Sequence, residues 1–306
     1  MRLYKNNVNH MSLTESLAQI DQPPAARAGY TGGGTVAVLD SGVDYTRSAF
    51  GDCTGGAGPV CRVVWAGDFA PDDGQLDDNG HGTNVAGIVL GVAPGAYIAA
   101  LDVFDGAGAS DYVIIDAINW AIANQPNYNI AAMNLSLAKS DLYYNTECQD
   151  SPYGSAFAEA RSAGILPIVA AGNEAKNGLP VPACAPGAVR VGAVYDADVG
   201  PKQWGNTCTD STTALDRVTC FSNSAPMLTM LAPGAMITAA GITMGGTSQA
   251  APHVAGAVAV LRSTFWSETL DQTLSRLVNG GVPVTDPANG LTHPRLDLAG
   301  AINWQP

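Results

Sequence analysis

The strongest constraint in this chain is a set of short, wholly apolar runs separated by helix-length segments. Thr35–Leu39 has no polar residue at every second position, as a half-exposed strand would, and its β-branched content favours an extended conformation. Similar runs recur at Ile98–Phe104, Ile130–Leu137, Ile165–Ala171, Val189–Val194 and Met227–Leu231. The intervening segments His81–Leu90, Asp111–Asn124, Ser155–Ala163, Ser248–Arg262 and the amphipathic Leu270–Val278 read as helices. Ser248–Arg262 is apolar nearly all round, so it is predicted to be buried. Strands apolar on both sides must be covered on both sides. The predicted fold class is therefore α/β, with a mostly parallel central sheet and helices on both faces in three layers. In such folds the chemistry collects at the carboxyl ends of the strands.

The length of 306 residues suits one large α/β domain or two ordinary ones, and neither a repeat nor a charged linker divides the chain. Residues 1–30 are polar and irregular, with Gln22-Pro23-Pro24 before a short helix. They are expected to pack on a single domain spanning 31–306. Asp and Glu number 27 against 14 Lys and Arg, a net charge of −13. That excess repels phosphates and anionic lipid, which argues against nucleic acid and membrane partners. It leaves solubility, or attraction of Ca²⁺ or cationic substrates. No apolar run reaches membrane-spanning length.

The first residues, Met1-Arg2-Leu3-Tyr4-Lys5-Asn6-Asn7, lack the apolar centre of a secretory leader. Either the protein is intracellular or a leader has been removed. The six cysteines favour the second reading, since none has C-x-x-C spacing. Cys53 with Cys61, and Cys208 with Cys220, flank Gly/Thr-rich loops as staples would, and Cys148 with Cys184 remains. Six cysteines allow 15 pairings, so this scheme is one expectation among them, and it favours an oxidising, extracytoplasmic compartment.

Three motifs carry chemistry. Val36-Ala37-Val38-Leu39-Asp40-Ser41-Gly42 ends an apolar strand in a carboxylate. Asn79-Gly80-His81-Gly82-Thr83-Asn84 opens a helix with an imidazole between two glycines. Gly245-Gly246-Thr247-Ser248-Gln249-Ala250-Ala251-Pro252-His253 puts a hydroxyl at the start of the buried helix, with Pro252 expected in its first turn. A neutral serine needs a base, an imidazole accepts a proton near neutral pH, and a carboxylate fixes the tautomer of that imidazole.

In this order the motifs resemble those of the subtilase family of serine peptidases: Asp-x-Gly, His-Gly-Thr and Gly-Thr-Ser-x-Ala-x-Pro-His. The resemblance runs from about Gly29 to Leu298. It implies a serine endopeptidase acting through an acyl-enzyme, with Ser248 as nucleophile, His81 as general base and Asp40 as its orienting carboxylate. Val169-Ala170-Ala171-Gly172-Asn173-Glu174 resembles the family's oxyanion-hole segment, giving Asn173 that role beside the Ser248 N–H. Ser136, Leu137 and Ala138 would form a substrate-pairing strand and one wall of the S1 pocket, and Ala170, Ala171 and Gly172 the other wall. Gly106, Ala107 and Gly108 would form a second substrate-pairing strand. Protein or peptide chains are the implied substrates. A cleaved propeptide serving as folding aid and inhibitor is the implied partner, and the chemistry requires no cofactor.

The chain departs from the family at several positions. Asn84 stands where a histidine is usual, and Gln249 where methionine is common. The stretch Gly87–Pro94 lacks an insertion that often binds calcium. Asp72, Asp73, Asp77 and Asp78 could hold a structural Ca²⁺ or form a solvated acidic loop. His253, about 140° round the helix from Ser248, is expected to pack or hydrogen-bond away from the nucleophile. His10 and His293 are expected at the surface, and Asp44, Asp52, Asp102 and Asp105 are expected to lack the strand-end position of Asp40. A catalytically idle, subtilase-like binding module is the alternative reading. An α/β-hydrolase does not fit, because G-x-S-x-G is absent around Ser248.

Overall fold

A computed structural model describes residues 13–57, 60–106 and 108–305. In chain order the helices are α1 (Leu13–Gln19), α2 (Gln22–Arg27), α3 (His81–Val92), α4 (Asp111–Tyr128), α5 (Tyr153–Ser162), α6 (Thr247–Thr264), α7 (Leu270–Asn279) and α8 (Leu298–Asn303). The strands of the first half are β1 (Thr35–Asp40), β2 (Val63–Asp68), β3 (Tyr97–Asp102), β4 (Ile130–Leu135), β5 (Lys139–Tyr144), β6 (Leu166–Ala170) and β7 (Leu179–Val181). Those of the second half are β8 (Val189–Val194), β9 (Lys202–Trp204), β10 (Cys208–Asp210), β11 (Met230–Pro233), β12 (Ile237–Ala239), β13 (Ile242–Met244), β14 (Val282–Thr285) and β15 (Thr292–Arg295).

Among the described residues, nine strands form one sheet in the order β14-β15-β11-β8-β6-β4-β1-β3-β2. Every pairing in it is parallel except β14 with β15. Successive residues of a strand point to opposite faces, and the core divides accordingly. Val36 and Val38 of β1 pack in one apolar cluster with α3 and α6, while Ala37 and Leu39 pack in the other with α4 and α5. The expected three layers are therefore present, with β1 inside the sheet and buried at all six positions.

Several boundaries differ from the sequence expectation. Strand β2 is an additional strand, and the pair β14–β15 was not anticipated because polar and proline residues interrupt its apolar pattern. Helix α4 continues through Pro126 to Tyr128 and stops at Asn129, whose φ of 51° is left-handed. His293 lies on β15 and is buried, so it is no surface group. His10 lies outside the described residues. The three disulfides are Cys53–Cys61, Cys148–Cys184 and Cys208–Cys220, and no described cysteine is free.

The proline in α6 has a specific consequence. Pro252 sits in the second turn rather than the first, where its nitrogen has no hydrogen for the carbonyl four residues earlier. That carbonyl belongs to Ser248, and it accepts the Ser136 hydroxyl at 2.7 Å instead. The missing helix bond is thus filled from β4's end, which ties α6 to the sheet next to Ser248.

His253, one turn further on, is fully buried. Its Nδ1 meets the Gln249 carbonyl at 2.8 Å and its Nε2 the Ser16 hydroxyl of α1 at 3.0 Å. It therefore packs and hydrogen-bonds away from the cleft, as expected. Burial pushes its pKa down to about 4, against the partial opposition of the Gln249 carbonyl. The unfolded chain, with an ordinary histidine near 6.5, binds this proton more readily than the fold does. Stability is unaffected above that value, falls as pH drops from about 6.5 to about 4, and levels off below. His253→Gln removes this titration. The loss of unfolding free energy between pH 7.5 and pH 4.5 should then shrink by about 2–3 kcal/mol relative to the parent, as read from urea titrations at both pH values.

Candidate active site

The site lies at the carboxyl edge of the sheet, where β1 ends in Asp40. This residue is 1% exposed. Its Oδ1 accepts from the Ser41 N–H at 2.9 Å and meets His81 Nδ1 at 2.6 Å. With Nδ1–H donating to the carboxylate, the neutral ring keeps its lone pair on Nε2. Burial opposes a charge on His81, but the Asp40 carboxylate, by attraction and by its hydrogen bond, outweighs burial with help from Asp77. The net shift is upward from the ordinary histidine value.

Sequence reasoning placed Asp77 in a loose acidic loop, and the structure gives it a defined task. Its Oδ1 accepts the Ser41 hydroxyl at 2.9 Å and the Gly80 N–H at 2.8 Å, and its Oδ2 accepts the Thr83 N–H at 2.8 Å. One carboxylate therefore caps the free N–H groups of α3 and holds the turn after Asp40, where its charge also suits the helix dipole. The chain passes very close here. A Cβ on Gly82 would lie 2.0 Å from the Gly42 carbonyl oxygen, so His81 and Asp40 can meet only with glycine at this point.

Ser248 stands in the first turn of α6. Its hydroxyl donates to the Ser136 carbonyl at 3.2 Å, and no hydrogen bond joins it to His81 among the described residues. Ser136 also donates its own hydroxyl to Ser248, and Asn134 Nδ2 donates to Ser136 Oγ at 2.9 Å. The ends of β4 and α6 are thereby locked together.

Asn173 follows β6 beyond Gly172, whose φ of 95° favours glycine. Its Oδ1 accepts both the Thr247 N–H at 2.7 Å and the Thr247 hydroxyl at 2.9 Å. Thr247 Oγ1 accepts in turn from the Gly172 N–H at 3.0 Å. With its oxygen committed, the Asn173 amide has its NH₂ left as the donor. Asn223 fastens the same loop, accepting from the Glu174 and Lys176 N–H groups and donating to the Ala171 carbonyl at 3.1 Å. Thr247 and Asn223 were missed from sequence. Thr247 sits inside the Gly-Thr-Ser motif, which was its one available signal, and Asn223 had none.

The expected substrate contacts fall into three groups. Leu137 and Ala138 reach the surface and border a pocket of 590 Å³ whose opposite side includes Phe104 and Gly108. Ala170 and Ala171 are instead buried, their side chains on opposite faces of the sheet core, so only their backbone can meet a ligand. Gly106 and Gly108 do not form a strand of their own. Asp105 and Gly108 bond to each other across a tight turn, and Ala107 lies outside the described residues.

One expectation about the acidic residues changes. Asp102 does end a strand, β3, directly beside Asp40 in register. It accepts the Phe104 N–H at 3.0 Å. Burial pushes its carboxyl up to about 7, against that N–H and with the help of Asp78, Asp68 and Asp77. What separates it from Asp40 is the absence of an imidazole partner. The loop acids mostly serve the turns around them. Asp72 and Asp73 accept the Gly74 and Gln75 N–H groups, and Asp77 is occupied as described. Among the described residues no cluster of three or more His, Cys, Asp or Glu side chains is arranged to hold a metal ion.

The profile of the subtilase family matches residues 31–289. Subtilisin of Bacillus pumilus is 33% identical over 293 residues, covering 87% of this chain and 90% of that protein. Subtilisin E of Bacillus subtilis (strain 168) is also 33% identical over 293 residues, and there the chain spans 65% of the relative's length. The crystal structure of a cold adapted subtilisin-like serine proteinase superposes with a TM-score of 0.65 at 27% identity, over 88% of this chain and 89% of the other. The chain belongs to the subtilase family.

Proposed function

We propose that this protein is a serine endopeptidase that hydrolyses extended protein substrates through an acyl-enzyme. The observation that carries this reading is the 2.6 Å contact of His81 Nδ1 with buried Asp40, made on the helix packed against the one that bears Ser248. The Ser248 hydroxyl turns about its Cα–Cβ bond from the Ser136 carbonyl to His81 Nε2, loses its proton there and attacks the scissile carbonyl. His81 returns the proton to the departing amine, while Asp40 stabilises the imidazolium. Water, activated by the same imidazole, then releases the acid product. The developing oxyanion is held by the Asn173 NH₂ and the Ser248 N–H at the start of α6, where helix N–H groups are free.

Substrate binding follows from what reaches the cleft. Ser136, Leu137 and Ala138 offer backbone groups to an extended chain, and Ala170, Ala171 and Gly172 line the opposite wall by backbone alone. Gly106, Ala107 and Gly108 would form the outer lip. Residues 31–306 act as the catalytic domain, with the amino-terminal segment packed on it. A cleaved propeptide that assists folding and then inhibits, and secretion into an oxidising compartment, belong to the same proposal. The three disulfides support that compartment.

One observation favours the idle binding module: the Ser248 hydroxyl rests on Ser136 rather than on His81. Ser248→Ala separates the two readings. It should abolish hydrolysis of a peptide p-nitroanilide while leaving the melting temperature near that of the parent, and retained hydrolysis would remove Ser248 from the chemistry. Asn173→Ala should lower kcat by about 10²–10³ with little change in KM, because its hydrogen bond strengthens as charge develops. Weakened binding at an unchanged kcat would contradict that role. Since His81 must be neutral to accept the proton, kcat/KM should rise with pH through a midpoint above about 6.5, the sign set by its neighbouring carboxylates. A profile from pH 5 to 9 with its acid midpoint below that value would count against His81 as the base.

A further inference from the structure

The two departures from the family motifs, Asn84 and Gln249, meet each other. Asn84 lies one turn beyond His81 on α3, and Gln249 directly follows Ser248 on α6. Both are buried, at 0% and 1% exposure. Gln249 Nε2 donates to Asn84 Oδ1 at 3.1 Å. The Asn84 amide nitrogen donates to the carbonyls of Ile237 at 3.2 Å and Ile242 at 2.8 Å, one on each strand of the β12–β13 hairpin. That hairpin ends at Met244, and Gly245-Gly246 lead straight from it into Thr247 and Ser248. A single amide side chain therefore joins three segments: the helix bearing His81, the first turn of the helix bearing Ser248, and the strand that delivers the chain to Ser248.

We propose that Asn84 and Gln249 are a paired positioning device that sets Ser248 against His81, acting through those helices without touching substrate. The proposal rests on the peptidase reading above. A buried donor or acceptor that loses its partner makes its neighbours shift or pays the full cost of desolvation. Here the groups that would shift are the two helix starts whose alignment governs proton transfer, and an error of about 1 Å in such alignment can cost up to ~10²-fold in rate. The same logic explains why the residues depart together. The amide of Gln249 matches that of Asn84, whereas a methionine beside Ser248 would leave Asn84 Oδ1 unpaired.

The test measures kcat and KM on a peptide p-nitroanilide for Asn84→His, Gln249→Met and the double variant that carries the common family pair. Each preparation is normalised by titration with a serine-directed covalent inhibitor. Each single variant should lower kcat per titrated site by about ten-fold with KM within about two-fold, and the double variant should return to within about three-fold of the parent. Singles that melt earlier but keep the parental kcat per titrated site would show a merely structural pair and overturn the proposal. A double variant as slow as the product of the two singles would show independent sites and overturn it as well. Should Asn84→His not fold, Gln249→Met, which keeps the side-chain length, carries the same kcat criterion. An inactive parent would instead strike the peptidase reading itself.

Discussion

The close approach of α3 and α6 on one face of the sheet is the contact on which the rest of the molecule depends. It brings the imidazole-bearing and hydroxyl-bearing segments into one cleft, and it is permitted by a missing side chain. A Cβ on Gly256 of α6 would lie 2.7 Å from the Val92 Cβ of α3 and 3.0 Å from the Val89 carbonyl. Any larger residue would push the helices apart and carry His81 away from Ser248. The interface around it is built from small and β-branched groups, Val85, Ala86 and Val89 against Ala251, Val254 and Ala255, all fully buried. Such packing resists small displacements, because interiors are close-packed and the lost contacts are not recovered elsewhere.

Around this apolar contact the backbone is left with specific unpaired groups, and side chains near the cleft fill them. Pro252 frees the Ser248 carbonyl, and Ser136 takes it. The start of α6 presents the Thr247 N–H, and Asn173 takes it. The start of α3 presents the Gly80 and Thr83 N–H groups, and Asp77 takes both. The ends of β1, β4 and β6 and the starts of α3 and α6 are cross-tied by these bonds, so the site is assembled from satisfied helix termini and strand ends rather than from long loops. This preorganisation favours chemistry in which charge develops at a fixed point.

Away from the cleft, covalent and polar ties hold the periphery. The disulfide Cys208–Cys220 closes a loop that begins with β10, which pairs with β9 in a two-stranded hairpin outside the main sheet. Cys53–Cys61 closes another loop. Each cross-link restricts the unfolded states of the segment it closes. At the amino-terminal side, Ser16 of α1 reaches His253, and the Gln19 carbonyl accepts from Arg295 at 2.7 Å. The amino-terminal helices are thus fastened to α6 and β15 on the face shared with α3.

By itself the sequence determined the layers, the place of β1 and the residue types at the cleft. Apolar runs without alternation can be satisfied only between two helix layers, and the Asp40, His81 and Ser248 motifs sit on unmistakable local signals: a strand end, a helix start between glycines and a helix start before proline. Strands at the margin of the sheet, β14 at its edge and β15 beside it, stayed hidden, because half-covered strands tolerate proline and polar residues. Tertiary structure alone decided the partnerships. Nothing local distinguishes Asp77, which caps α3, from Asp73, which caps only its own turn. Nothing in Asn84 or Gln249 separately announces a bond across 165 residues of sequence. Asp102 reads as lacking the strand-end position of Asp40 until the register of β3 sets it beside that residue. A hydrogen bond is specified by two positions and an orientation, and for residues distant along the chain those are fixed only when the sheet and the α3–α6 contact have formed.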